Sequence, residues 1–135
     1  KGKLPFKNNT FEEILCINIL EHVGGANRMK LIDEMWRVSK RDGIIFIKVP
    51  YCWSNGAIGH IEHKSLYDLG SFNYYICDDL YSGLKANKTR FEIINKKRKV
   101  MLNAKIRKLL PFKNILAMFL INIYDHLYFE LKVVK

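Results

Sequence analysis

The side chains best suited to proton transfer gather in one stretch of this chain. Residues 51 to 81 are aromatic, irregular and polar, and they carry Tyr51, His60, Glu62, His63 and Tyr67. His60 and His63 are candidate catalytic bases, because an imidazole near its ordinary pKa can take a proton from a hydroxyl held within hydrogen-bond reach. As a zinc pair they are incomplete. No cysteine or histidine at useful spacing brings the set to four ligands, so no metal site is expected. His22, in Leu20-Glu21-His22-Val23, stands apart; a hydrogen-bonded loop anchor is the plain reading of it. The sequence contains no Gly-x-Ser-x-Gly, phosphate-binding loop or His-Glu-x-x-His. Gly24-Gly25 and Gly56-x-x-Gly59 lack the spacing of a dinucleotide fingerprint.

The elements that must position these groups alternate in the first fifty residues. Ile14 to Ile19 is a continuous apolar run after the turn signal Lys7-Asn8-Asn9-Thr10, which predicts a fully buried strand. Gly24-Gly25 breaks it. From Ala26, Met29, Ile32, Met35 or Trp36, and Val38 recur at helical spacing. Arg41-Asp42-Gly43 is expected to end that helix through a left-handed glycine cap. Ile44 to Val49 reads as a second buried strand stopped by Pro50. Strand, helix, strand with short connections implies parallel pairing through a right-handed crossover. Ligands of such sheets bind beyond the carboxyl ends of the strands, where the segments after Ile19 and Val49 depart.

Further along, the pattern turns antiparallel. Thr89 to Asn95 and Lys97 to Met101 read as one interrupted, half-exposed strand, and Leu127 to Val134 as a terminal strand. Between them, Met101 to Leu110 and Ile115 to Tyr124 read as helical pieces separated by Pro111. The expected sheet has four strands, two parallel and two antiparallel, with the first at an edge. An exposed apolar edge invites pairing, so a homodimer is expected.

Charge and composition add partners and setting. At 135 residues and 49% hydrophobic, the chain suits one core. Its whole +10 formal charge falls between Lys85 and Asn114, which hold eleven Lys or Arg against Glu92 alone; the remainder balances at twelve of each sign. Lys96, Lys97, Arg98, Lys99, Lys105, Arg107 and Lys108 could meet an anionic membrane surface, with nucleic acid the lesser candidate and a solvated face the plain alternative. Cys16, Cys52 and Cys77 are widely spaced and odd in number, which predicts free thiols. No secretory signal is visible and the longest late apolar run, Ile115 to Ile121, is far short of the ~20 residues of a span, so a cytoplasmic protein is expected.

Leu4-Pro5-Phe6, Phe11, the run Ile14 to Val23 ending in Leu-Glu-His-Val, Arg37-Val38 and the strand Gly43 to Pro50 together resemble the second half of a class I S-adenosylmethionine-dependent methyltransferase of the type 11 group. The resemblance implies an α/β, truncated Rossmann-like methyltransferase sheet in a single partial domain. Residues 1–50 would be its cofactor side, 51–84 its acceptor side and 85–135 a basic antiparallel and helical part. The family's Gly-rich strand-turn does not occur in this sequence. By resemblance, S-adenosylmethionine is the cofactor, and Leu4, Cys16, Ile17, Asn18 and His22 correspond to its binding residues. His63-Lys64, Tyr67 and Ser71-Phe72-Asn73-Tyr74-Tyr75 resemble a further motif, Thr-His-Lys-Arg, an aromatic, then Ser-Phe-x-Tyr-Phe, in a subgroup of these enzymes. Glu62 and Ser65 depart from it. The resemblance implies a small-molecule or glycan-type methyl acceptor, with His63 and His60 beside it. A noncatalytic relative that keeps the half-sheet, and a basic binding module, are the alternatives.

Overall fold

A computed structural model describes residues 2–73, 90–100 and 105–135. The expectations for Tyr74, Tyr75, Cys77 and residues 101–104 lie outside these. The elements run β1 (Phe11–Ile17), a 3-10 turn (Leu20–His22), α1 (Gly25–Val38), β2 (Ser39–Pro50), α2 (Asn55–Ile58), β3 (Arg90–Lys99), α3 (Lys105–Leu109), α4 (Lys113–Phe119) and β4 (His126–Val134). Among the described residues no helix is long and apolar enough to cross a membrane.

The four strands form one mixed sheet in the order β1-β2-β4-β3. β1 pairs parallel with β2, from Glu13 opposite Ile44 to Ile17 opposite Lys48. β4 lies antiparallel to both β2 and β3, and the register against β3 slips between Ile93 and Asn95. The skipped Ile94 is exposed, as expected where an extra residue bulges from a ladder. The edge position of β1 and the two-plus-two pairing agree with the sequence reading.

One face of this sheet holds the core. Ile45, Ile47 and Val49 of β2 and Leu127, Phe129, Leu131 and Val133 of β4 are buried together with Ile32 and Met35 of α1, Phe72 and Leu20. Period-two burial along β4 is the signature of a strand with one face in the core. Of the Met35 or Trp36 alternatives, Met35 is the buried one. Trp36 sits at the margin, its Nε1 donating to the Val134 carbonyl at 3.0 Å.

Several local expectations need correction. β1 is not fully buried: Cys16 is, but Leu15 is 65% and Ile17 48% exposed, because the strand lies at the edge and only one of its faces meets the core. It also ends at Ile17, since Asn18 turns into left-handed backbone at φ 53°. The helix α1 ends at Val38 without a glycine cap, and Ser39 Oγ donates to the Met35 carbonyl at 2.7 Å. The positive φ, 61°, belongs to Asp42. Gly43 is needed for another reason. A Cβ there would lie 3.0 Å from the Glu12 carbonyl oxygen and 3.1 Å from that of Lys40. α4 occupies Lys113–Phe119 and stops short of Tyr124, because Leu120 is extended and Asn122 left-handed at φ 63°; Tyr124 turns into the core.

At the end of the sheet where β2 begins, a clamp ties the N-terminal segment to the last turn of α1. Glu34 Oε2 accepts from the Leu4 amide at 2.7 Å, and Arg37 donates to the carbonyls of Leu4 at 3.1 Å and Phe6 at 2.9 Å. Arg37 also donates to both Glu34 oxygens, each at 2.7 Å. That guanidinium holds the Glu34 carboxyl down at about 2, as expected when hydrogen bonds favour the ionised form.

Candidate functional site

At the opposite end of the sheet, where β1 finishes, the chain turns at Asn18, whose amide donates to the Lys48 carbonyl at 2.9 Å. The 3-10 turn follows, with Leu20 and Glu21 fully buried and His22 half-buried. The segment after β2 is fastened to this turn. Tyr67 Oη donates to the Leu20 carbonyl at 3.0 Å, and the Lys64 amide donates to the Glu21 carbonyl at 2.7 Å. Tyr67 is anchored in turn by the Cys52 amide, which donates to its carbonyl at 2.7 Å. Tyr67 thus ties the segment after β2 to the 3-10 turn.

Between these ties the histidines meet. Ser54 Oγ accepts from the Ala57 amide at 3.1 Å and starts the short helix α2. The Ala57 carbonyl lies 3.2 Å from His63 Nδ1. With the Nδ1 proton on that bond, Nε2 keeps its lone pair. His60 stacks on His63 with ring centroids 4.5 Å apart, and His22 meets His63 edge-on at 4.9 Å and His60 at 5.6 Å. Glu21, beside them, has a buried Oε2 with no hydrogen-bond partner among the described residues. Burial, then the Glu21 charge, pushes the Cys16 thiol up to about 11. Burial also raises the Tyr67 phenol above its usual range. Both groups are therefore neutral at physiological pH.

The residues singled out from sequence are distributed unevenly. His22, His60 and His63 come together; Cys16, Ile17 and Asn18 close β1 beside them. Leu4 does not join them, being held at the other end of α1 by Glu34 and Arg37. Glu62 is exposed, whereas Tyr51 and Tyr67 are buried and serve the core. Glu21 went unnoticed; its only signal was adjacency to His22. For S-adenosylmethionine the fit is to one wall. Ile17 and Ile19, 48% and 45% exposed, flank the left-handed Asn18 and offer an apolar ledge at the strand end. Two shallow, open surface depressions lie elsewhere, one along Leu110 and Phe112 to Ile115, the other among Gly2, Lys3, Lys30, Asp33 and Glu34.

The basic segment is partly consumed by the fold. Arg98 lies over the rings of Tyr51 and Tyr124, at 5.5 and 5.3 Å, and Lys99 over Tyr128 at 4.7 Å. Arg107 donates to Asp125 at 2.9 Å. Beside it, Leu109, Phe112, Met118 and Phe119 are all more than three-quarters exposed.

Comparison with known proteins bears on this architecture. Residues 2–47 match a family model described as a methyltransferase domain. An uncharacterised protein of Methanocaldococcus jannaschii is 48% identical over 46 residues, 34% of this chain and 19% of that one. Among solved structures, a Haloferax volcanii methyltransferase complexed with the Trm112 methyltransferase activator aligns at a TM-score of 0.66 and 11% identity, over 99% of this chain and 58% of that one. A Methanosarcina mazei S-adenosylmethionine-dependent methyltransferase gives 0.60 and 12%, over 98% and 64%. The [4+2]-cyclase SpnF gives 0.57 and 14%, over 98% and 54%. The chain thus spans 19% of the curated relative and 54–64% of these solved structures, and at these identities the structural likeness is one of fold, which hosts more than one chemistry. Over residues 2–47 the chain is similar in sequence to a methyltransferase domain, and over the described residues it shares the fold of S-adenosylmethionine-dependent methyltransferases.

Proposed function

We propose that this chain supplies the acceptor side and one cofactor wall of a methyltransferase acting on a small-molecule or glycan-type hydroxyl. The observation that carries the reading is the meeting of three histidines beyond the carboxyl ends of the adjoining parallel strands β1 and β2, the edge where open α/β sheets take their ligands. When bound, the cofactor supplies an already activated methyl group. The protein's share is alignment, exclusion of water and, for a hydroxyl, removal of one proton. Ile17 and Ile19 would lie along the cofactor, Asn18 would orient it, and His63 would take the proton at Nε2 with His60 stacked behind.

The pocket needs a Gly-rich strand-turn, which residues 1–135 do not contain. Calorimetry with S-adenosylmethionine tests the arrangement. Residues 1–135 alone should bind weakly or not at all, and joining them to such a strand-turn should bring a micromolar constant. No binding by the joined form, or micromolar binding by residues 1–135 alone, would refute it.

A second reading, contact with an anionic membrane surface, draws on the exposed Leu109, Phe112, Met118 and Phe119 beside Lys108 and Lys113. Apolar insertion with cations at the headgroups gives binding that needs anionic lipid and weakens with salt, by about 1 kcal/mol per engaged cation. Co-sedimentation with phosphatidylserine vesicles should show both dependences. Equal binding to neutral vesicles would count against it.

A further inference from the structure

We propose that Glu21, His22 and His63 form a site for a divalent transition-metal ion of the zinc class, with at least one coordination position left open. One donor atom from each of the three lies within 4.8 Å of the other two. The residues come from two segments, one after each parallel strand, and the hydrogen bonds from Lys64 and Tyr67 to the Glu21 and Leu20 carbonyls fasten those segments together.

The independent observation is the state of Glu21. Its side chain is 1% exposed and its Oε2 is the one buried side-chain polar atom among the described residues without a hydrogen-bond partner. Burying an unpaired carboxylate is costly, and buried charges are paired or bound to metal. A cation between Glu21 and the two imidazoles removes that cost. His63 is already arranged as metal-binding histidines are, with Nδ1 against the Ala57 carbonyl and Nε2 left to coordinate. Cys16, held as a thiol beside Glu21, does not complete the set.

The donor types choose the ion. Two imidazoles and one carboxylate suit zinc and its borderline neighbours rather than magnesium or calcium, which prefer oxygen throughout. Tetrahedral zinc with bonds of about 2.0–2.1 Å sets its donors about 3.3 Å apart, so the two half-buried rings must rotate inward. Three protein ligands are the number found in catalytic sites, where water or substrate takes the fourth place. Binding itself does not depend on the methyl-transfer reading. Only its consequence does: an ion there would stabilise an acceptor alkoxide in place of a free imidazole base.

Metal-free protein, titrated with Zn²⁺ by calorimetry and with Co²⁺ by visible absorption, provides the test. One equivalent should bind, raise the melting temperature and give ligand-field bands with Co²⁺. Glu21→Gln and His63→Ala should each weaken Zn²⁺ at least ~10-fold, while His126→Ala, at the one histidine outside the cluster, leaves it unchanged. Glu21→Gln keeps the shape of the side chain, so the metal-free melting temperature should stay close to that of the wild type. If that variant fails to fold, the half-buried His22→Ala gives the same reading. No stoichiometric uptake by folded wild-type protein, or uptake untouched in Glu21→Gln and His63→Ala, would overturn the site. Because no methyl transfer is measured, a negative result here leaves the methyltransferase reading standing, and a positive one does not establish it.

Discussion

A methyl-transfer-competent form carrying His63→Ala is expected to turn over a hydroxyl acceptor ~10²-fold to 10⁴-fold more slowly, the usual worth of a general base, while its cofactor affinity is kept. Asn18→Ala should do the reverse and weaken the cofactor first. Asn18 closes β1 in left-handed backbone beside the Ile17 and Ile19 ledge, whereas His63 belongs to the segment after β2. Steady-state kinetics with both substrates varied, together with direct cofactor binding, will separate them. Full activity in His63→Ala with unchanged cofactor binding in Asn18→Ala would overturn the site and leave the likeness to a methyltransferase domain intact. The effect of His63→Ala holds whether that side chain acts as a free base or through a bound ion. The metal titration tells those apart.

The second large effect concerns the fold. Phe129, 1% exposed on the inner strand β4, meets Phe72 edge-on with centroids 4.6 Å apart, and Phe72 stacks with Tyr67. Phe129→Ala should cost about 3–5 kcal/mol, the range for a buried aromatic removed from a close-packed core. Against the 5–15 kcal/mol of a typical domain, that leaves a marginal fold. Urea denaturation gives the number directly. A loss below 1 kcal/mol would mean that β4 is not the packed centre of the sheet. The loss should also loosen the histidine site, because Tyr67 joins Phe72 to the Leu20 carbonyl and so connects the core to the 3-10 turn.

Strand and helix identity were legible because apolar period and turn residues are local properties. Ile14 onward, Met29 to Val38, Ile44 to Val49 and Leu127 to Val134 each announced their type, and the parallel pair followed from a short strand-helix-strand unit. Boundaries were less secure where one side chain decided them. Asn18 and Asn122 entered left-handed backbone without a glycine to mark the place, and Gly43 looked like a helix cap although its role is close approach to the Glu12 carbonyl.

The candidate site divides along the same line. The sequence by itself determined that His60 and His63 would lie beyond the second parallel strand and His22 beyond the first, since the departure points of both segments follow from the strand order. Only the tertiary structure decided that the two segments are fastened together, that Leu4 is drawn to the opposite end of α1, and that Glu21 Oε2 is buried beside His22 and His63 with no hydrogen-bond partner among the described residues. The physical reason is range. Spacing reports neighbours along a strand or helix, whereas Glu21 and His63 meet through hydrogen bonds closed across more than forty residues, and the burial that leaves a carboxylate unpaired is a property of the packed whole.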